Sequence, residues 1–301
     1  GHRHSRRHHH QRLVLVLAGD HVYKMDYGVM LAEHVECGAD VSIACLEVPL
    51  AEAGAFGVMR VDAHGRVRDF SEKPADPTRA TVSMGIYVFN TESLYSYLRE
   101  DAHCSESTHD FGRDVIPRLL REGMHVHAHR YSESCVNMVD GHPYWRDVGT
   151  VDAYWEANMD LTRVEPELNM YDPQWPIRTL EEHLAPAKFD FEGPDPRGQT
   201  FQALVSSGCV VSGASVIRSL LFTDVRIDRG SVIEDSVLLP EVRVGRDVRI
   251  RRAVVDKFCV IPDGFTTGFN RAEDEARFYV TPQGTTLITP EMLGQSMHDY
   301  D

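Results

Sequence analysis

The chain has 301 residues, of which 42% are hydrophobic, and it carries a formal net charge of −15. This length is enough for a sizeable core and favours two domains over one. The acidic charge argues against nucleic acid and anionic membranes as partners, and no apolar stretch approaches the ~20 residues that cross a bilayer.

The first predicted elements follow a basic N-terminal tract. Gly1 to Arg12 contains five His and four Arg, a pattern that fits either a metal-binding tract or a solvated segment. Leu13–Leu17 is an uninterrupted apolar run, which predicts a strand buried on both faces of a parallel sheet. The next element is a helix whose buried stripe is formed by Met30, Leu31 and Val35. Gly38 is its expected end.

Strand and helix signals continue to alternate up to about residue 160. They predict an α/β domain, residues 1–160, with a mostly parallel sheet. The elements expected after Gly38 are a strand, a hairpin, another strand and two helices: Val41–Val48, Phe56–Val61 with Arg66–Phe70, Ser83–Phe89, Thr91–Arg99 and Phe111–Arg121.

The character of the sequence changes at about residue 161. Six prolines between residues 166 and 196 indicate a linker, residues 161–204. In the last segment, residues 205–301, short apolar strands recur about every six residues, which predicts a parallel β-helix; an ordinary small β-domain is the alternative. The apolar residues that carry this period are Val210, Val216, Leu221, Ile227, Ile233, Leu238, Val244, Ile250, Val255 and Ile261.

Cysteine usage and the N-terminal composition bear on the cellular compartment. The six cysteines are scattered and include no Cys-x-x-Cys pair, which is typical of reduced thiols. The N-terminus is too basic and too poor in apolar residues for the core of a signal peptide. We therefore expect a cytoplasmic protein.

Two aspartates are candidate metal ligands. Asp20 comes just after the Leu13–Leu17 run, where open α/β sheets place their ligands. Asp147 lies in the segment Tyr144–Thr150, beside a turn of small residues. Two converging carboxylates could hold Mg²⁺ together with substrate phosphates. The alternative is that each is a cap or turn residue, because no spacing rule brings positions 20 and 147 together.

A Glu-Lys-Pro tripeptide follows the predicted hairpin. Lys73 could act as a point charge on a phosphate, and Glu72 could accept hydrogen bonds from sugar hydroxyls. A surface ion pair is the default interpretation of the same two residues. Pro74 holds the residue before it in an extended conformation.

Two further clusters admit a ligand but favour a solvated surface. His125, His127 and His129 alternate along a predicted strand and therefore share one face, which suggests either a metal site or, as the pattern favours, a solvated strand face. The densest basic cluster late in the chain is interpreted in the same way, as a solvated group or an anion site, and consists of Arg249, Arg251 and Arg252.

Taken in order, the motifs of this chain resemble those of the sugar-nucleotide pyrophosphorylases, and specifically the bacterial ADP-glucose pyrophosphorylases (glucose-1-phosphate adenylyltransferases). The resemblance covers nearly the whole chain, and the block at 144–161 is the most specific part. The matching segments are LAGDHVYKMDY (17–27), AFGVMRVD (55–62), FSEKP (70–74), SMGIYVFN (83–90), HDFGRDVIPRL (109–119), YWRDVGTVDAYWEANMDL (144–161) and SSGCVVSG (206–213).

The resemblance implies a fold, a reaction and site residues. The implied fold is a Rossmann-like nucleotidyltransferase domain followed by a left-handed parallel β-helix, in a homotetramer. The implied reaction converts ATP and α-D-glucose 1-phosphate into ADP-glucose and pyrophosphate for glycogen biosynthesis. By likeness, Asp20 and Asp147 match the two metal-binding aspartates. The positions that hold glucose 1-phosphate in the family are matched by Gly57, Glu72, Lys73 and Ser83.

Two departures from the family pattern leave alternatives open. The family begins with a Gly-rich loop that holds the nucleotide phosphates, and this chain contains no Gly-Gly pair. We therefore expect a nucleotidyltransferase domain incomplete at its N-terminus, and an inactive fragment or a noncatalytic regulatory subunit is the alternative to an enzyme. Near the C-terminus only Arg277 remains of the arginines that bind an anionic activator in the family, which argues against activation by a sugar bisphosphate. A hexapeptide acyltransferase is disfavoured because no second substrate domain follows the repeats.

Overall fold

The computed structural model describes residues 12–191 and 198–296, and these form two compact units. The first unit comprises residues 12–19 and 23–144, and the second comprises residues 20–22 and 145–296. Residues 1–11 of the His/Arg tract lie outside the described residues, so the metal-binding hypothesis for that tract stays a prediction.

The elements up to residue 143 alternate between strands and helices. They are β1 (Leu13–Val16), β2 (His21–Tyr23), α1 (Tyr27–Cys37), β3 (Val41–Glu47), α2 (Leu50–Ala53), β4 (Gly57–Val61), β5 (Val67–Glu72), β6 (Thr81–Asn90), α3 (Thr91–Ala102), a π-helical turn (Phe111–Val115), α4 (Ile116–Arg121), β7 (Val126–Arg130), a 3₁₀ turn (Tyr131–Glu133), β8 (Met138–Val139) and β9 (His142–Pro143).

The first unit is built around a six-stranded sheet in the order β5–β4–β6–β3–β7, with β1 also paired to β6. The β3–β7 pair is parallel, while β6 pairs antiparallel with β1, β3 and β4, and β4 pairs antiparallel with β5. The predicted hairpin is confirmed. The prediction of a mostly parallel sheet is wrong, because long β6 has antiparallel partners on both sides.

Strand β1 also differs from its prediction. It runs antiparallel to β6, with Leu13 opposite Asn90, and its residues are half-buried rather than enclosed on both faces. Residue Leu17 is 45% exposed. An apolar run alone does not distinguish a central parallel strand from a partly covered antiparallel one.

Helix α1 ends where the sequence indicates, but its buried face is different. The Asp26 side chain accepts a hydrogen bond from the Gly28 N–H at the N-terminus, and Gly38 ends the helix with a left-handed φ of 62°. Met30 is buried as predicted. Val35 is exposed, and His34 is buried in its place, with Nδ1 2.8 Å from Ser42 Oγ.

The second unit contains a pair of strands, a helix and a long stack of short strands. From residue 145 onwards the elements are β10 (Trp145–Asp147), α5 (Val151–Leu161), β11 (Lys188–Asp190), β12 (Thr200–Phe201), β13 (Leu204–Val205), β14 (Val210–Ser212), β15 (Ser215–Ile217), β16 (Leu220–Leu221), β17 (Arg226–Ile227), β18 (Val232–Glu234), β19 (Val237–Leu238), β20 (Arg243–Val244), β21 (Arg249–Arg251), β22 (Ala253–Val255), β23 (Val260–Ile261), β24 (Thr266–Thr267), α6 (Arg271–Arg277), β25 (Tyr279–Val280), β26 (Thr286–Ile288) and a 3₁₀ turn (Glu291–Leu293).

The stacked strands form a three-sided parallel β-helix. Three parallel sheets run in the orders β11–β14–β17–β20–β23, β12–β15–β18–β21–β24 and β13–β16–β19–β22–β26, so each coil supplies one strand to each face. Nine of the ten apolar positions predicted for this repeat are buried. At the tenth, Val210 is half-buried and its neighbour Val211 occupies the core column with Ile227 and Val244.

Helix α5 lies against this β-helix. Tyr154, Trp155 and Met159 pack against a buried cluster that includes Val237. The Trp155 indole N–H donates to the carbonyl of Asp235 at 2.7 Å. These contacts place the segment that follows Asp147 on one face of the β-helix.

None of the helices in the described ranges 12–191 and 198–296 combines the length and the apolar composition that a membrane span requires. The six cysteines are all free thiols, as the sequence predicts.

Candidate active site

A short strand pair in the second unit brings the two candidate aspartates together. Strand β2 pairs with β10, and the Val148 N–H donates to the Asp20 carbonyl at 2.9 Å. Ligand atoms of Asp20, His21 and Asp147 all lie within 4.8 Å of one another. The pairing of β2 with β10 therefore brings positions 20 and 147 together, which no spacing rule in the sequence predicts.

His21 is the member of this cluster that sequence reasoning missed. Its Nε2 lies 3.5 Å from Asp20 Oδ1 and 3.7 Å from Asp147 Oδ2. Its side chain is 10% exposed and packs edge-on against Trp145, with ring centroids 5.0 Å apart. The aspartate side chains are more exposed, Asp20 at 60% and Asp147 at 34%. The carboxylates therefore face solvent, and the largely buried imidazole of His21 lies beneath them.

Gly149 borders the same carboxylates. Its N–H donates to Asp147 Oδ1 at 2.8 Å. A Cβ at this position would lie 3.0 Å from Asp147 Oδ1 and 3.2 Å from Asp20 Oδ2, closer than most Cβ contacts. The absence of a side chain on Gly149 therefore avoids crowding both carboxylates.

The other predicted site residues belong to the first unit. Gly57 lies opposite Glu72 in the β4–β5 pair, and Lys73 follows directly, with its N–H donating to the Phe56 carbonyl at 3.0 Å. Lys73 has a φ of 45°, an uncommon conformation for a residue with a side chain, so the extended conformation predicted for the residue before Pro74 is wrong. Ser83 is buried in β6, where its Oγ accepts from the Gly85 N–H at 3.1 Å.

Glu72 is enclosed by backbone on two sides. A Cβ on Gly57 would lie 2.9 Å from Glu72 Oε2, and a Cβ on Gly112 would overlap the same carboxylate. Burial and the negative charge of Asp110 raise the pKa of Glu72, while Lys73 and Arg113 act in the opposite direction. Glu72 is therefore a half-buried carboxyl group held between glycines and not a surface ion-pair residue.

Three residues around Glu72 were not singled out from the sequence: Asp110, Gly112 and Arg113. All lie in the segment 109–119, which the sequence analysis treats as part of a predicted helix and of the family resemblance but not as a site. Asp110 caps the π-helical turn by accepting from the Arg113 N–H at 2.8 Å. Tyr87 also belongs to this neighbourhood, since it hydrogen-bonds Ser83 and burial raises its pKa to about 12.

The histidines of β7 do not form the solvated face that the sequence favoured. His127 and His129 are buried, and both ring systems contact the carboxylate of Glu33 on α1. His125 precedes the strand and is half-buried. The solvated-face interpretation is therefore wrong for His127 and His129, because α1 covers this side of the sheet.

The late arginine cluster is occupied by aromatic contacts. Arg249 and Arg251 flank the Phe269 ring, with guanidinium carbons 4.3 and 4.5 Å from its centroid. Arg252 lies 4.2 Å from the Trp155 ring. These cation–π contacts involve all three side chains, and an anion site there stays a prediction.

Comparison with known proteins identifies the class. Residues 3–164 match the nucleotidyl transferase family, and residues 185–288 match the C-terminal hexapeptide family similar to GlmU, in agreement with the predicted left-handed parallel β-helix. The first match covers the predicted nucleotidyltransferase domain, whereas the second begins at residue 185, inside the predicted linker 161–204. The chain is thus a nucleotidyltransferase joined to a hexapeptide β-helix.

Curated relatives narrow the class to one family. Glucose-1-phosphate adenylyltransferase of Nitrosomonas europaea is 57% identical over 297 residues, which cover 96% of this chain and 69% of the relative. The enzyme of the same name from Nitrosospira multiformis is 56% identical, covering 97% and 70%, and that from Methylobacillus flagellatus is 58% identical, covering 95% and 68%. The chain belongs to the glucose-1-phosphate adenylyltransferase family.

Proposed function

We propose that this protein transfers the adenylyl group of ATP to α-D-glucose 1-phosphate, forming ADP-glucose and pyrophosphate for glycogen biosynthesis. The observation that carries the proposal is the cluster of Asp20, His21 and Asp147 in a chain whose relatives bear the name of this activity. Enzymes of this class use a divalent metal ion, and two carboxylates within reach of one another are suitable ligands for it.

The reaction requires little covalent work from the protein. A phosphate oxygen of glucose 1-phosphate attacks the α-phosphorus of ATP, a new P–O bond forms, and the bond to the β-phosphate oxygen breaks as pyrophosphate leaves. Positioning and charge neutralisation supply most of the rate enhancement in such phosphoryl-group chemistry. The residues of the chain therefore act by holding reactants and charges in place.

We propose Mg²⁺ as the metal, held by Asp20 and Asp147. When bound, it neutralises charge on the phosphates in the transition state. The exposed carboxylates supply hard oxygen ligands, and the supporting imidazole of His21 keeps both oriented. Gly149 leaves the space beside them open.

For glucose 1-phosphate we propose a site formed by Gly57, Glu72, Lys73 and Ser83. Lys73 neutralises the attacking phosphate, and Glu72 accepts hydrogen bonds from sugar hydroxyls. Gly57 lets backbone approach the sugar without a side chain in the way. The pairing of Gly57 with Glu72 and the burial of Ser83 support this grouping.

Three organisational features are proposed with the function: a homotetramer, which the family resemblance implies, a cytoplasmic location, and a division into a nucleotidyltransferase domain (1–160), a linker and a β-helix domain. The sequence places the linker at 161–204, but β11, β12 and β13 pair with strands of the next coil, so we begin the β-helix domain at Lys188. Sedimentation of the purified protein measures the first of these features directly. A tetramer mass of about four times 34.0 kDa is the expected result.

Pyrophosphate release from ATP and glucose 1-phosphate, followed with and without Mg²⁺, tests the activity. We expect turnover that requires all three components and does not occur when glucose 1-phosphate is omitted. A folded protein that produces no pyrophosphate, but changes the rate of an active family member mixed with it, would instead support the noncatalytic regulatory subunit.

A further inference from the structure

A second cluster of metal-ligating side chains lies within the first unit. Glu33 comes from α1, His129 from β7 and Glu133 from the 3₁₀ turn that follows β7. One ligand atom from each lies within 4.8 Å of the other two. The cluster shares no residue with the Asp20, His21 and Asp147 group, and the proposed reaction does not use it.

The imidazole at the centre of this cluster is held in a defined orientation. His129 is fully buried, and its Nε2 lies 2.7 Å from Ser134 Oγ. Its Nδ1 faces the Glu33 carboxylate and contacts Oε2. The other carboxylate oxygen, Oε1, lies 2.7 Å from His127 Nε2. Each side chain therefore has a second hydrogen-bonding partner, His127 for Glu33 and Ser134 for His129, as ligands in metal sites do.

The separation of the ligand atoms fits a small cation. Zinc bonds of about 2.0–2.2 Å to nitrogen and oxygen place neighbouring ligands of a tetrahedron roughly 3.4 Å apart. The three atoms, already within 4.8 Å, need only small side-chain rotations to reach that separation. Glu133 is exposed and free of packing on its outer side, so it can make such a rotation.

We propose that Glu33, His129 and Glu133 bind one divalent transition-metal ion, with a water as the fourth ligand. One imidazole and two carboxylates suit zinc better than magnesium, which prefers oxygen ligands alone. The site links α1 to β7 and the turn that follows it.

Binding through Nδ1 fixes the tautomer of His129. A neutral imidazole that gives its Nδ1 lone pair to a metal ion carries its proton on Nε2, and from there it donates to Ser134 Oγ, 2.7 Å away. Ser134 therefore holds the ring in the tautomer that the proposed site needs.

Calorimetric titration with zinc chloride tests the site. The N-terminal histidines and the Asp20 cluster could also bind zinc, so the background protein carries His→Ala at positions 2, 4, 8, 9 and 10 together with Asp147→Asn. We expect one zinc per chain in this background. Excess magnesium chloride should not displace it.

Variants assign the ligands. Glu133→Gln, at an exposed position, should weaken zinc binding at least 10-fold without affecting folding, and Ser134→Ala should weaken it about 10- to 100-fold through the orientation of His129. The matched control is Glu36→Gln, which removes the same charge from an exposed position on α1, the helix that supplies Glu33, and should leave binding unchanged. No zinc bound by the background protein, or equal affinity in Glu133→Gln and Glu36→Gln, would overturn the proposal.

Discussion

Asp20 offers the most direct test of the metal site at the scale of single residues. Asn has nearly the same shape but no charge, so Asp20→Asn removes a ligand charge while the backbone contact from the Val148 N–H to residue 20 is kept. We expect kcat to fall by about 10³ or more, as when charge stabilisation specific to a transition state is lost, with little change in thermal stability. Pyrophosphate release measures the first quantity, and a melting curve measures the second.

The control for this change is Asp140→Asn, in the exposed turn between β8 and β9. Residue 140 has a φ of 47°, which Asn tolerates as well as Asp does, so the variant should fold and turn over normally. Near-normal turnover in Asp20→Asn would remove Asp20 from the metal site.

Lys73 separates the two substrates. Lys73→Ala should raise KM for glucose 1-phosphate by roughly 10- to 100-fold, because one charge-assisted contact is worth about 1.5–3 kcal/mol. KM for ATP should barely change. Lys188→Ala, at an exposed position in β11, is the matched control and should leave both constants alone. If both constants rise together in Lys73→Ala, Lys73 is shared or structural.

Residue-level inference from the sequence succeeds where local signals suffice and fails where long-range packing decides. The Gly38 helix end depends on one residue's backbone preference and is predicted correctly. The burial of His127 and His129 depends on Glu33, more than ninety positions away, which supplies their partner. The alternation of histidines along the strand contains no information about α1, which carries Glu33. The sequence pattern alone therefore favours a solvated face.

At the scale of elements, the last coil of the β-helix provides a matched pair of glycines. Gly268 has a φ of 88°, and a Cβ there would overlap the backbone carbonyl of Arg251 in the coil before. Gly264 has a φ of 72°, and nothing lies within 4 Å of its Cβ direction. Gly264→Ala should therefore lower the free energy of unfolding by about 1 kcal/mol, the cost of holding a side chain at a positive φ. Gly268→Ala should lower it by about 2–4 kcal/mol, because the Cβ also overlaps the backbone.

Urea denaturation followed by tryptophan fluorescence measures this difference, since all three tryptophans (Trp145, Trp155 and Trp175) belong to the second unit. Equal destabilisation by the two substitutions would mean that the Arg251 backbone moves aside at no cost. The stacking of coils would then be looser than these contacts indicate.

The β-helix and the mixed sheet differ in how well the sequence predicts them. The β-helix is predictable because each coil repeats the same apolar positions, and only Val210 is displaced, by one residue, to Val211. The mixed sheet is less predictable. Strand β1 has the apolar run of a central parallel strand, but its partner is β6, which lies over seventy residues later and runs antiparallel. Strand direction is set by the connections between elements, which local composition does not encode.

At the scale of the whole molecule, the groups with shifted acidity concentrate in the first unit. Hydrogen bonds from the Arg66 backbone and the Arg68 side chain hold the pKa of Asp62 at about 2. Hydrogen bonds from Ser107 and His109 lower the pKa of Asp101, and those from Thr108 and the Asp110 backbone lower that of Asp114. Burial lowers the pKa of His34. Glu72, whose pKa is raised, opposes this trend.

These shifts have a definite sign. A carboxyl group whose pKa is lowered by folding stabilises the native state above its ordinary pKa of about 4, and this contribution is lost as the pH falls towards the folded value. His34 acts in the same direction, beginning to lose its contribution below about pH 6.5. The raised pKa of Glu72 acts in the opposite direction, but it is a single group against the four named above and Glu33, whose pKa is also lowered. The first unit therefore loses stability progressively between about pH 6.5 and pH 2.

We predict that acid unfolds the first unit before the second, whose core cluster consists of apolar columns such as Val211, Ile227 and Val244. Far-UV circular dichroism detects α1, α3 and α4 of the first unit together with α5 and α6 of the second. Part of this signal should therefore be lost at a higher pH than the tryptophan signal, which comes from the second unit alone. Asp62→Asn sharpens the test. The substitution should lower the urea midpoint at pH 7, because it removes the charged carboxylate. This difference from the unchanged protein should disappear as the pH approaches 2, where Asp62 itself becomes protonated. Coincident transitions of the two signals, or a difference between the two proteins that persists at pH 2, would show that these carboxylates do not control acid stability.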